Sequence, residues 1–194
     1  MLKAMERIAR LMAVVGGLVL VALILLTCLS VVGRSLNTIG HSAALEAISQ
    51  GLANLLLGTG VGPINGDFEL VEAGIAFVIF AFLPVCQIYS SHATVDVFTS
   101  LLSNKTNRYI KAFWEVLFCL LMLLITWRLF VGMENKMEYG ETTYLLQFPV
   151  WWAYAASFAA AVLASIVSVY CAVARLAELV SGRHYLPYTD GAVH

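Results

Sequence analysis

Residues 149–173 read PVWWAYAASFAAAVLASIVSVYCAV. They sit in a window of 33 residues between Glu141 and Arg175 that holds no Asp, Glu, Lys or Arg. A membrane-spanning helix needs about 20 mostly apolar residues, at a rise of about 1.5 Å each. Similar charge-free windows of 23 residues lie between Arg10 and Arg34 and between Glu72 and Asp96. A fourth apolar stretch, from Ala112 to Trp127, holds a single charge, Glu115. The windows predict an all-α integral membrane protein with four transmembrane helices, over about 11–33, 70–91, 110–131 and 148–173. They are too long for barrel strands and lack a period of two.

Composition supports this. Of the 194 residues, 61% are hydrophobic and 12% charged, against about 25% charged in a soluble domain. The mean hydropathy is +0.87. A soluble chain this short could not hide so much apolar surface. A net charge of −1 lacks the basic excess of a nucleic-acid binder. The length fits a single membrane domain over 1–194. Lys3, Arg7 and Arg10 precede the first span as in a signal peptide. Its apolar run is longer than the usual 7–15 residues, however, and no clear small-residue cleavage site follows, so a retained helix is expected.

Lys and Arg orient the chain. Lys3, Arg7, Arg10, Lys105, Arg108, Lys111, Arg175 and Arg183 fall on one side. Arg34, Arg128 and Lys136, near helix ends, fall on the other. Both termini are therefore expected in the cytoplasm. Trp151, Trp152 and Tyr154 at the outer start of span four, and Trp127 and Phe130 at the outer end of span three, fit an aromatic belt in contact with lipid.

The loops carry their own pattern. Leu45, Ile48, Leu52, Leu55 and Leu56 recur at helical spacing and predict an interfacial amphipathic helix over about 43–57. Val95, Phe98, Leu101 and Leu102 predict a second over about 95–104 on the inner side. In span four, Ala153, Ser157, Ala161 and Ser165 form one row of small residues, and Ala156, Ala160, Ala164 and Ser168 its neighbour. Such rows permit close helix approach in lipid. The partner helix could belong to this chain or to another.

Catalytic chemistry finds little footing. None of His41, His92, His184 and His194 is central to a span, against a haem bundle. Cys28, Cys86, Cys119 and Cys171 fall one per span, without metal-like spacing. Nucleotide-binding, hydrolase and zinc-protease motifs are absent. Glu115 lies more than a turn inside span three, where a charge usually faces protein or water. It could pair with Lys111 on the same face, meet a partner subunit or serve a coupling ion. Arg34 could pair with Glu69 or Glu72 and close the outer end of the first hairpin, or snorkel to water.

Four motifs then stand in order. Val31-Val32-Gly33-Arg34 ends span one, Gly66-Asp67-Phe68-Glu69-Leu70-Val71-Glu72 opens span two and His92-Ala93-Thr94-Val95-Asp96 closes it. Gly140-Glu141-Thr142-Thr143 and Pro149-Val150-Trp151 lead into span four. With this order and spacing, over about residues 10–175, the chain resembles the DctQ-like small permease subunit of tripartite ATP-independent periplasmic (TRAP) transporters. The Leu36–Pro63 outer insert is longer than the family hairpin.

The resemblance implies a non-catalytic small subunit that braces a large permease subunit of the bacterial inner membrane. It implies a periplasmic substrate-binding protein as the third component, and uptake of a solute, often an organic acid, driven by an ion gradient. No cofactor is implied for this chain; sodium ions would bind the large subunit. The structural or interface candidates are Arg34, Glu69, Glu72, His92, Asp96, Glu115, Glu141, Pro149, Trp151, Ala156, Ala160 and Ala164. Two other readings are a stand-alone or homo-oligomeric four-helix protein, such as a small exporter, and a membrane redox subunit.

Overall fold

In a computed structural model, residues 2–42, 51, 62–89 and 104–181 are described. They form four long helices: α1 (Leu2–Gly40), α2 (Asp67–Ile88), α3 (Asn104–Tyr139) and α4 (Trp151–Ser181). All four are long and apolar enough to cross a membrane. The described residues contain no strand, only an isolated bridge between Thr142 and Pro149. Of the two expected interfacial helices, only Gly51, helical and exposed, and Asn104, which opens α3, are among the described residues. The rest of both segments lies outside them.

The helices outrun the apolar windows. α1 has 39 residues, about 58 Å at the α-helical rise, against a hydrocarbon core of about 30 Å. Its polar ends keep the helical pattern because charged side chains reach the headgroups while the backbone stays internally bonded. Span two shifts by about three residues toward the N-terminus, while span four starts about three residues later than expected and runs about eight residues farther. α2 starts earlier, at Asp67, because Gly66 has φ 81°, a left-handed backbone that side chains disfavour. α4 starts later, at Trp151, because Pro149 is still paired with Thr142. Within α2, Pro84 has no N–H for the Phe80 carbonyl.

The packing order is α1, α2, α4, α3. α1 lies on α2, α2 on α4 and α4 on α3, and α1 touches α4 only slightly. Half of the most apolar stretch of α4 is buried, against 11% for both α1 and α3, so α4 is the central helix. Its small residues explain that position. Ala160 meets Met12 of α1 and Ala81 of α2. Val167, Cys171 and Ala174 meet Ala9 and Ile88. Ala161 and Ser165 instead face Thr126 of α3. The rows therefore meet helices of this chain.

Ala156 is the exception: it is exposed, while Ala160 and Ala164 below it are buried. Ala160→Leu is expected to cost about 1–3 kcal/mol by overpacking, and Ala156→Leu to cost under about 0.5 kcal/mol. Thermal unfolding in detergent checks both; equal midpoints for the two variants would contradict this packing.

The outer helices turn apolar faces outward. Leu11, Val14, Leu18, Val21, Leu25 and Leu29 are exposed along α1, and Leu120, Leu121, Leu124 and Trp127 along α3. In water such faces would drive aggregation. In lipid they carry no penalty, because acyl chains are as apolar as Leu.

Candidate functional site

At the end of the bundle where α1 finishes and α2 begins, called outer after the orientation that the Lys and Arg bias predicts, α1, α2 and the 141–150 loop are tied together. Gly33 lets the return segment cross α1 closely, since a Cβ there would stand 2.2 Å from the Gly62 carbonyl oxygen. Beside it, Ile64 donates its N–H to Ser30 Oγ at 3.3 Å. Arg34 Nη2 stands 3.9 Å from Asp67 Oδ2. The expected partners Glu69 and Glu72 are thus replaced by Asp67. The early start of α2 explains this, because it puts Asp67 directly after the turn at Gly66. Asp67 also accepts the Phe68 N–H at 2.7 Å, and a carboxylate in a helix's first turn is favoured by the helix dipole.

Glu69 is committed elsewhere. One carboxylate oxygen accepts the Leu145 N–H at 2.7 Å and the other the Leu146 N–H at 2.9 Å. These bonds hold the 141–150 loop onto α2. The loop is closed by Thr143 N–H to Phe148 O and by Val150 N–H to Glu141 O, both 3.0 Å. Glu141 also pairs with Lys136 of α3. Trp151 packs edge-on against Trp152, with ring centroids 6.2 Å apart.

Toward the inner end, one polar cluster joins three helices. The Gln87 side-chain amide of α2 donates to Glu115 Oε1 of α3 at 2.9 Å and to Ser168 Oγ of α4 at 3.0 Å. Gln87 and Ser168 are buried and Glu115 is half-buried. The expected Glu115–Lys111 pair is replaced by this contact, and Lys111 is exposed. Gln87 is uncharged, so a scan for charges passes over it. One level farther out, Thr126 Oγ1 lies 2.8 Å from Ser165 Oγ. Nearer the end of α4, Arg175 pairs with the buried Glu178 at 3.0 Å, and Arg108 of α3 donates to the Glu178 carbonyl. His92 and Asp96 lie outside the described residues.

Between these levels, an outer cleft of about 520 Å³ opens among α2, α3 and α4 beneath the 141–150 loop. Glu72, Ala73, Ala76, Ala153, Tyr154 and Ser157 line it. Among the described residues, no group of three or more His, Cys, Asp or Glu is arranged to hold a metal ion. The four cysteines are free: Cys119 and Cys171 are buried, Cys86 is half-buried and Cys28 is exposed.

The arrangement holds helices together by polar bonds at two depths. Comparison with curated proteins and with solved structures finds no match. A family model described as "Tripartite ATP-independent periplasmic transporters, DctQ component" matches residues 23–179. That stretch holds the C-terminal part of α1, all of α2 and α3 and nearly all of α4, with both polar clusters and the outer cleft, and the chain belongs to the DctQ family, the small membrane component of TRAP transporters.

Proposed function

We propose that this chain is a non-catalytic brace for the large permease subunit of a TRAP transporter. One observation carries the reading. Gln87, Glu115 and Ser168, on three helices inside the bundle, are bonded to one another, which stiffens the bundle. A solute or ion path would instead call for polar groups facing an open route across the bilayer. The exposed apolar faces of α1 and α3 suit contact with lipid and with a large apolar partner.

In this reading the large subunit holds the substrate and sodium sites. A periplasmic binding protein delivers the solute, an organic acid among the expected classes. Both termini face the cytoplasm, in keeping with the Lys and Arg bias. Arg34, Glu69, Glu141, Pro149 and Trp151 shape the outer end, and His92 and Asp96 serve structure or an interface at the inner one. Vesicles holding this chain alone are expected to show no sodium-driven uptake of the acid bound by the accompanying binding protein. Vesicles that also hold the large subunit and the binding protein are expected to show it. Uptake by the isolated chain would overturn the proposal.

A further inference from the structure

Arg128 is a charge that the bundle leaves uncompensated inside the apolar layer. It is exposed, and it belongs to no ion pair or hydrogen bond among the described residues. The sequence puts it near the outer end of span three, but its neighbours put it deeper. Two residues before it, Thr126 Oγ1 donates to the Ala161 carbonyl. Two residues after it, Phe130 packs on Phe158 with ring centroids 5.5 Å apart. Arg128 therefore stands level with residues 158–161 of α4, about 10–15 Å along the axis from Trp151. The same level runs through Ala160 to Ala81 of α2 and Met12 of α1, and Gly16 of α1 rests on Ala81.

The chain beyond that level fixes the depth. Toward the outer end, residues 17–33 of α1 read GLVLVALILLTCLSVVG and residues 73–80 of α2 read AGIAFVIF. If Arg128 marked the membrane surface, both stretches would stand in water, with Leu18, Val21, Leu25 and Leu29 exposed to it. Soluble surfaces do not carry apolar faces of that length. Arg128 thus leaves α3 within the bilayer, on a face shared with the exposed Leu121, Leu124 and Ile125.

Charged residues at such depth face protein or water and pair with an opposite charge. Outer headgroup phosphates lie in the wrong direction. Helical side chains lean toward the N-terminus of their helix, and α3 runs outward, so Arg128 leans inward. A second copy of this chain offers no carboxylate at this level. Residues 11–33, 73–95 and 142–174 hold none, and Glu134 of α3 is six residues, about 9 Å, farther out. Glu115 lies thirteen residues the other way and is bonded to Gln87.

We infer that the Arg128 face of α3 is where the large permease subunit sits, and that a membrane helix of that subunit presents an Asp or Glu to Arg128. This rests on the small-subunit reading above. It also separates the two edge helices. The window 11–33 of α1 carries no charge and its face is left to lipid, whereas α3 offers a cation that the partner must match. A partner lacking the carboxylate would bury an unpaired charge.

The test uses the co-expressed complex, with the tag on this chain and the large subunit measured in the eluate. Arg128→Glu is expected to lower the recovered large subunit about tenfold or more through like-charge repulsion. Arg128→Leu, which strands the partner carboxylate, is expected to lower it severalfold. The tagged chain carrying Arg128→Leu should keep the helical signal and unfolding midpoint of the parent, because Arg128 has no described partner in the bundle. A photo-reactive amino acid placed at Leu124 is expected to crosslink to the large subunit, and one placed at Leu18 is not. Parental recovery with both Arg128 variants overturns the inference while leaving the small-subunit reading intact. So does crosslinking from Leu18 and not from Leu124. Loss of a co-purifying phospholipid from Arg128→Leu with full recovery of the large subunit overturns it too, in favour of a lipid phosphate. If the parent chain itself recovers no large subunit, the small-subunit reading fails and this inference fails with it.

Discussion

Gln87→Leu is expected to destabilise the bundle by about 1–3 kcal/mol, the range for stranding a buried polar or charged group. The Gln87 amide is the described hydrogen-bond donor to the Glu115 carboxylate, and it also reaches Ser168. Without it a half-buried carboxylate within α3 loses that bond. Neutral hydrogen bonds between membrane helices average only about 0.6 kcal/mol. Thr126→Val, which removes the hydroxyl beside Ser165, is therefore expected to cost less. The double change Gln87→Leu with Glu115→Leu is expected to cost less than the sum of the single ones, because removing both partners strands no charge. Thermal unfolding in detergent reads all four variants. Additive losses in the double variant would show that the two side chains do not interact.

Gly33→Ala is the second large effect, also expected at about 1–3 kcal/mol. The added Cβ would stand 2.2 Å from the Gly62 carbonyl oxygen. That atom is backbone, so the return segment must move off α1. The bond from Ile64 N–H to Ser30 Oγ would weaken with it. Ser30→Ala removes the hydrogen bond alone, and its expected cost is about 1 kcal/mol. A Gly33→Ala protein that unfolds at the parental midpoint would place the return segment elsewhere.

These positions show which features can be read from a sequence. The four helices were legible because hydrophobic length is a local property, set by residues next to one another in the chain. The α4 rows were legible as a packing face for the same reason: Ala160, Ala164 and Ser168 repeat every fourth residue. Which helices they meet was not legible, because that depends on the order α1, α2, α4, α3. The exposure of Ala156 was also missed, because spacing alone cannot tell where along α4 the contact with its neighbours ends.

The polar contacts were harder still. The sequence offers Arg34 either Glu69 or Glu72 or water, and its partner depends on where α2 begins. The turn at Gly66 selects Asp67. Glu69 binds backbone N–H groups 76 and 77 residues away, and any residue there other than Pro carries such a donor, so nothing in the side-chain pattern marks them. Gln87 was missed because its role comes from Glu115 and Ser168 on two other helices. The Val-Gly-Arg and Gly-Asp-Phe-Glu motifs, recognised by order and spacing, now have physical content: close approach at Gly33, a left-handed turn at Gly66 and a clamp at Glu69.

The central claim is that this chain works as part of a larger membrane assembly. Extraction in a mild detergent through a tag on this chain, followed by mass spectrometry of the intact assembly, tests it most directly. The account predicts this chain together with a large multi-span permease subunit. An assembly containing only copies of this chain would contradict it and would favour a self-assembling four-helix protein.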